Sequence, residues 1–216
     1  MTDKEIEELI SSELALKTLG VTEQYLEILE LVYENDTPKI SRIDREDKDG
    51  LIIVYLPVKN EYFYLAIYIN PREKQIQNVS TESRNKIVLR VDSEITSLEY
   101  LQSLTLIRAN KVWKKGEFWP NNRRIYKSSG FEIEPNPEPD EFEDKLEKLL
   151  VYLSNYKEDI ITLKENADVW IQVTMDFHNG NQLLGNVFLG SKNLQGLNDL
   201  NLEVSFDFAA WGNGFK

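Results

Sequence analysis

The chain has 216 residues, 41% of them hydrophobic and 29% charged, which suits one large or two modest globular domains with self-sufficient apolar cores. Cysteine is absent, so disulfides, thiolate nucleophiles and cysteine-ligated zinc are excluded. A formal net charge of -12 argues against general electrostatic binding to nucleic acid, which rests on clustered Lys and Arg.

The opening "MTDKEIEELISSE" is acidic and helical, without the basic and apolar regions of a signal peptide. No apolar run approaches the ~18 residues of a membrane span, so no membrane association is expected and the cytosol is the expected compartment. Charge is unevenly spread. Residues 86 to 130 hold nine basic side chains against four acidic ones, between two acidic flanks.

Thr2 and Glu5 form a capping box, and Ile6, Leu9, Ile10 and Leu14 then line one helix face. Gly20 is expected to close that helix and Thr22 to cap a second, which runs through Tyr25, Leu29 and Val32 to the stop signal "NDTP". After Pro38 the period falls to 2 in "KISRIDRE", "LIIVYLPV", "EYFYLAIYI" and "KQIQNV", a β-meander. Ile52, Val54, Leu56 and Val58 share a face with Phe63, Leu65, Ile67 and Ile69, which the helices can cover. The opposite face offers Ile53, Tyr55, Tyr62, Tyr64 and Tyr68. This tyrosine row is either a partner surface or a face covered by another part of the chain.

The polar run "STESRN", residues 80 to 85, is the expected boundary between an N-terminal domain of residues 1–83 and a C-terminal one of residues 84–216. Beyond it come a strand, "KIVLRVD", a short helix capped by Thr96 with Glu99, and a basic segment leading to "GFEIEPNPEPDEFED". Asp140 reads as the cap of a long helix reaching about residue 165, with a break near Ser154-Asn155. In "ADVWIQVTMDF", Val169, Ile171, Val173, Met175 and Phe177 face inward, while Trp170, Gln172, Thr174, Asp176 and His178 face outward. Asn179-Gly180 predicts a hairpin turn. A strand around "LGNVFL", a short helix and a strand, "NLEVSFDFA", complete the order, with Leu202, Val204, Phe206 and Phe208 inward and Glu203, Ser205 and Asp207 outward. The expected class is α+β: two helices with an antiparallel meander, then an antiparallel sheet with helices on one face and polar residues on the other.

Residues 86 to about 210 resemble the bacterial domain of unknown function 4279. The resemblance is carried by a strand, "ITSLEYLQSL", the segment "WKKG", the acidic helix entry "EFEDKLEKLL", the strand "VWIQVTMDF", a Gly/Asn turn and a closing helix and strand. It implies an α+β fold and an accessory role of the kind found among toxin and immunity genes. It supplies no activity, cofactor or catalytic residue.

Reactive constellations are scarce. There is no phosphate-cradling glycine loop, no nucleophile elbow and a single histidine, and no cofactor is expected. Asp176, His178 and Asp207 share the polar face and are the one candidate for metal or hydrolytic chemistry, although the turn after His178 favours a solvated strand end. Trp113, Lys114, Lys115, Trp119, Arg123 and Arg124 interleave aromatic and basic groups, as a small molecule or single-stranded nucleic acid would use. Those cations can instead face the acidic residues 132 to 147 of the same fold. The expected function is non-catalytic binding of a protein partner, such as immunity-type neutralisation of a basic toxin. The alternatives are an enzyme on the polar sheet face, or a ligand or nucleic-acid binder on the basic segment.

Overall fold

The computed structural model describes residues 1–120, 123–180 and 187–215. Helix α1 (Asp3–Leu16) starts on the capping box of Thr2 and Glu5 and ends with Lys17 in the left-handed region. Helix α2 (Gly20–Ile28) begins on the glycine expected to end α1, so Thr22 lies within it. Its hydroxyl donates instead to the buried Glu13 carboxylate (2.6 Å), which also accepts from the Leu19 amide (3.1 Å) and the Thr18 hydroxyl. A buried carboxylate thus fastens the corner between the two helices.

A two-strand hairpin, β1 (Tyr33–Glu34) with β2 (Thr37–Pro38), turns through Asn35 and Asp36, both at positive φ. Strands β3 (Arg42–Asp44), β4 (Ile52–Pro57), β5 (Phe63–Asn70) and β6 (Gln75–Ser93) then pair in antiparallel succession. Helix α3 (Leu98–Ser103) is capped by Ser97 rather than Thr96, whose hydroxyl donates to the Asn166 carbonyl (2.9 Å). Strands β7 (Lys111–Trp113) and β8 (Ser129–Ile133) follow, then α4 (Phe142–Ser154) and α5 (Lys157–Lys164), separated at the expected break. Strand β9 (Asp168–His178), helix α6 (Ser191–Asp199) and strand β10 (Glu203–Trp211) complete the chain. The fold is α+β, and its sheet is antiparallel except for β9 and β10, which run parallel.

The polar run at residues 80 to 85 lies inside β6, so the two strands expected on either side of it are one strand of 19 residues. Its first half pairs with β5, and its second half pairs with β9 and β8. One apolar core gathers Ile6, Ile10, Val54, Leu56, Leu65 and Val79 under α1 and α2. The other gathers Leu89, Val91, Phe131, Leu146, Leu153 and Ile171 under α3 to α6. The polar run is where the strand passes from one core to the other.

Both neighbours of β9 are already taken, by β6 and β10. Asn179-Gly180 therefore turns the chain away without forming a hairpin with β9, and the Asn179 amide donates to the Trp211 carbonyl (2.8 Å). Of the strand expected around "LGNVFL", residues 181 to 186 lie outside the described residues, and Val187 to Leu189 are not in a strand.

The loop at residues 134 to 141 closes the tyrosine face. Tyr55 is 2% exposed and stands beside Arg42 in the strand register. The Arg42 guanidinium bonds to the Pro139 carbonyl (2.6 Å) and pairs with Asp140 (2.9 Å) and Asp44 (3.2 Å). Asp140 is thus committed to ion pairs, Lys148 included (2.7 Å), and the cap position of α4 falls to Glu141. Burial pushes the Tyr55, Tyr64 and Tyr68 hydroxyls upward, and Tyr68 donates to Glu82. Buried Lys145 reaches the Glu138 carbonyl (2.9 Å), and burial lowers its ammonium to about 8.

Candidate functional site on the open sheet face

Alternation along β6 to β10 sends one set of side chains into the helix-covered core and the other set outward. Pairing aligns the outward set in rows across the sheet. One row is Lys111, Glu132, Arg90, Trp170 and Glu203, from five successive strands. The adjoining rows on β9 and β10 carry Gln172 with Ser205, and Thr174 with Asp207.

On the half of this face formed by β6, β7 and β8, charged groups pair with one another. Buried Glu132 pairs with Lys86 (2.6 Å), Arg90 (3.3 Å) and Lys111 (3.6 Å). Burial alone would raise its carboxyl, but the Lys86 hydrogen bond and the three charges hold it below its ordinary value. The Arg90 guanidinium lies over Trp113 (4.7 Å) and Trp170 (5.6 Å). Trp113 stacks on Tyr126 (6.3 Å), Tyr126 on Trp119 (5.5 Å), and Arg124 covers Trp119 (5.7 Å). An aromatic and cationic ladder thus runs from the arm between β7 and β8 onto the sheet. Trp113 lies flat because β8 has Gly130 beneath it, where a Cβ would meet the ring at 2.5 Å.

Trp113, Trp119 and Arg124 of the basic segment therefore come together, but the others are placed elsewhere. Lys114 pairs with Glu99, and Lys115 donates to the Glu94 carbonyl (2.7 Å). Arg123 is exposed on the arm. Of the cations in the wider basic segment, Lys111 faces residues 132 to 147, at Glu132, whereas Lys114 and Lys115 do not.

On the other half, formed by β9 and β10, the carboxylates Asp168, Asp176, Glu203 and Asp207 have no ion-pair partner among the described residues. Two tryptophans are fixed between them. The Trp170 indole donates to Gln172 (3.0 Å), whose amide donates to Asp207 (3.0 Å), and the Trp211 indole donates to Asp176 (2.7 Å). Tyr62, 48% exposed, packs on Trp211 (5.1 Å) and lies under Arg84 (5.8 Å). A cleft of about 540 Å³ opens beside Trp170, lined in part by Asp168, Glu203 and Ser205. Lys164 also borders it, but its ammonium is committed to the Asn201 carbonyl.

His178 does not belong to this surface. It is 1% exposed, beneath Phe63 (4.9 Å), Phe215 (5.7 Å) and Tyr25 (6.1 Å), because the end of β9 runs under α2 and the start of β5. Its Nε2 lies 2.7 Å from the Asn213 carbonyl and so carries the proton, while Nδ1 has no hydrogen-bond partner among the described residues. The solvated strand end expected for this residue is corrected to a core position, and a general-base role loses its geometry. Among the described residues, no three His, Asp or Glu side chains are disposed to hold a metal ion. None of the described helices is long and apolar enough to cross a membrane.

Of the tyrosine row, only Tyr62 reaches the open face. Tyr55 is enclosed, and Tyr64 and Tyr68 are half-buried against it. Trp170, Trp211 and Glu203 were not singled out by the sequence, although Trp170 occupies an outward strand position beside acids. A large aromatic at such a position is a cue to a contact surface.

Fold and surface together define an α+β protein with an open, aromatic and charged sheet face. The chain belongs to the family described as Domain of unknown function (DUF4279), whose model matches residues 82–211, from the middle of β6 to the end of β10. Comparison with curated proteins and with solved structures gives no match.

Proposed function

We propose that the protein is a non-catalytic binding module that takes a basic protein partner on the β9 and β10 half of its open sheet face. One observation carries this reading: four carboxylates without cationic partners among the described residues stand with Trp170 and Trp211, whose rings are held by hydrogen bonds. Lys and Arg side chains satisfy both elements, pairing with the carboxylates and stacking on the indoles. On the cationic half, Lys86, Arg90 and Lys111 already converge on the buried Glu132 carboxylate, which commits these cations within the fold. A net charge of -12 adds long-range attraction for a basic surface. An immunity-type role against a basic toxin is one biological form of this binding.

The test compares proteins retained from a lysate of the source organism by the wild type, by Glu203→Lys with Asp207→Lys, and by Glu7→Lys with Glu8→Lys on α1. The two variants change net charge equally. A basic protein kept by the wild type and the α1 variant but lost by the sheet variant is the expected result. Equal retention by all three would remove the sheet face from the account.

A further inference from the structure

Among the described residues, strand β10 is the last strand of the sheet, with β9 on one side and no strand on the other. The Asn179 amide bonds to the Trp211 carbonyl, which fixes the phase of the backbone in this parallel pair. The N–H and C=O groups of Trp211 and of each second residue before it point to β9. Those of Val204, Phe206, Phe208 and Ala210 therefore point away from the sheet. None of these outward groups has a hydrogen-bond partner among the described residues. The edge is straight enough to pair through all nine residues of β10 in register, without a bulge. Among the described residues, the charges that guard this edge are Glu203 and Asp207.

The two sides of this edge differ in chemistry. Glu203, Ser205 and Asp207 stand on the open face, and Val204, Phe206 and Phe208 on the core side. Phe208 is 59% exposed although it packs near Phe177 (6.1 Å) and stacks on Phe206 (5.9 Å). The apolar layer thus stops one strand short of being covered.

We infer that the partner docks by strand addition, laying an extended segment along the free edge of β10. This rests on the basic-partner reading above and specifies its mode. The segment alternates Lys or Arg with apolar residues. Its cations meet Glu203 and Asp207 on the open face, its apolar side chains cover Phe206 and Phe208, and its backbone pairs with the outward groups.

A second copy of this chain is a poorer occupant, because its own β10 carries no Lys or Arg to meet Glu203 and Asp207. An antiparallel β10 pair centred on Asp207 or on Ser205 also sets acids directly opposite each other, which is destabilising.

The experiment titrates the isotope-labelled full chain with a short peptide alternating Lys and Val, and with the same peptide N-methylated at every second amide. N-methylation keeps charge and side chains but removes the ladder donors. The expected result is slowed amide exchange at Val204, Phe206, Phe208 and Ala210 with the first peptide, and affinity weakened about tenfold or more by N-methylation. Equal binding of both peptides overturns strand addition and leaves the basic-partner reading standing. Binding by neither overturns both. Concentration-dependent protection of the same amides without peptide would assign the edge to a second copy and also overturn the proposal.

Discussion

Asp140→Ala is expected to destabilise the protein by about 3 kcal/mol, because it leaves the Arg42 guanidinium beneath the loop with one carboxylate fewer. Arg42 has little access to solvent, with a side chain 13% exposed, and retains only Asp44 and the Pro139 carbonyl. That remaining partner keeps the loss at the lower end of what breaking a buried pair costs. Lys148 also loses its partner, but it is more exposed and contributes less.

The effect depends on pH. Burial works to raise the Asp140 carboxyl, but hydrogen bonds from Lys148 and Arg42, with their charges, hold it below its ordinary value. Its folded form therefore binds fewer protons than the unfolded chain. The stabilisation is fully present above the unfolded pKa and is lost as pH falls through the lowered folded one. Urea unfolding at neutral and at acidic pH checks this: the difference between wild type and variant should shrink on acidification. A difference of the same size at both would mean that the ion pairs do not fasten the loop.

Gly130→Ala is expected to cost about 3 kcal/mol or more by overpacking. An added Cβ would lie 2.1 Å from the Val91 carbonyl oxygen of the neighbouring strand and 2.5 Å from the Trp113 ring. The first contact is backbone on a central strand, so the sheet itself must shift. The second lifts Trp113 from its place beneath Arg90 and Tyr126, which disturbs the ladder even where the chain still folds. Thermal unfolding reports the first consequence and tryptophan fluorescence the second. An unchanged melting temperature and spectrum would mean that the close approach of ring and glycine has no structural role.

Much of this fold is legible locally. The capping box at Thr2, the alternation of β4, β5 and β9 and the break after Ser154 are each written within a few residues, and each forms where expected. What the sequence does not disclose is long-range. Nothing near "STESRN" shows that its polar side chains ride on one continuous strand, since alternation is visible only where one face is apolar. The partners Arg42 and Asp140 lie 98 positions apart, so the cap position predicted for Asp140 lost to a tertiary ion pair that no local pattern announces.

His178 shows the same limit from the other side. Strand parity put it with Asp176, and its turn looked solvated. Burial came from Tyr25, Phe63 and Phe215, on three distant segments. The open face was half legible: the outward set of β9 and β10 follows from parity, but the rows across strands depend on the parallel pairing of the two.

Chemical-shift mapping of the isotope-labelled protein with a short arginine and lysine peptide is the most direct measurement of the central claim. Indole signals report on the face independently of the backbone. The Trp170 and Trp211 indoles and the amides of β9 and β10 are expected to shift together. Shifts confined to the acidic helix α1, or spread evenly over the acidic surface, would contradict it.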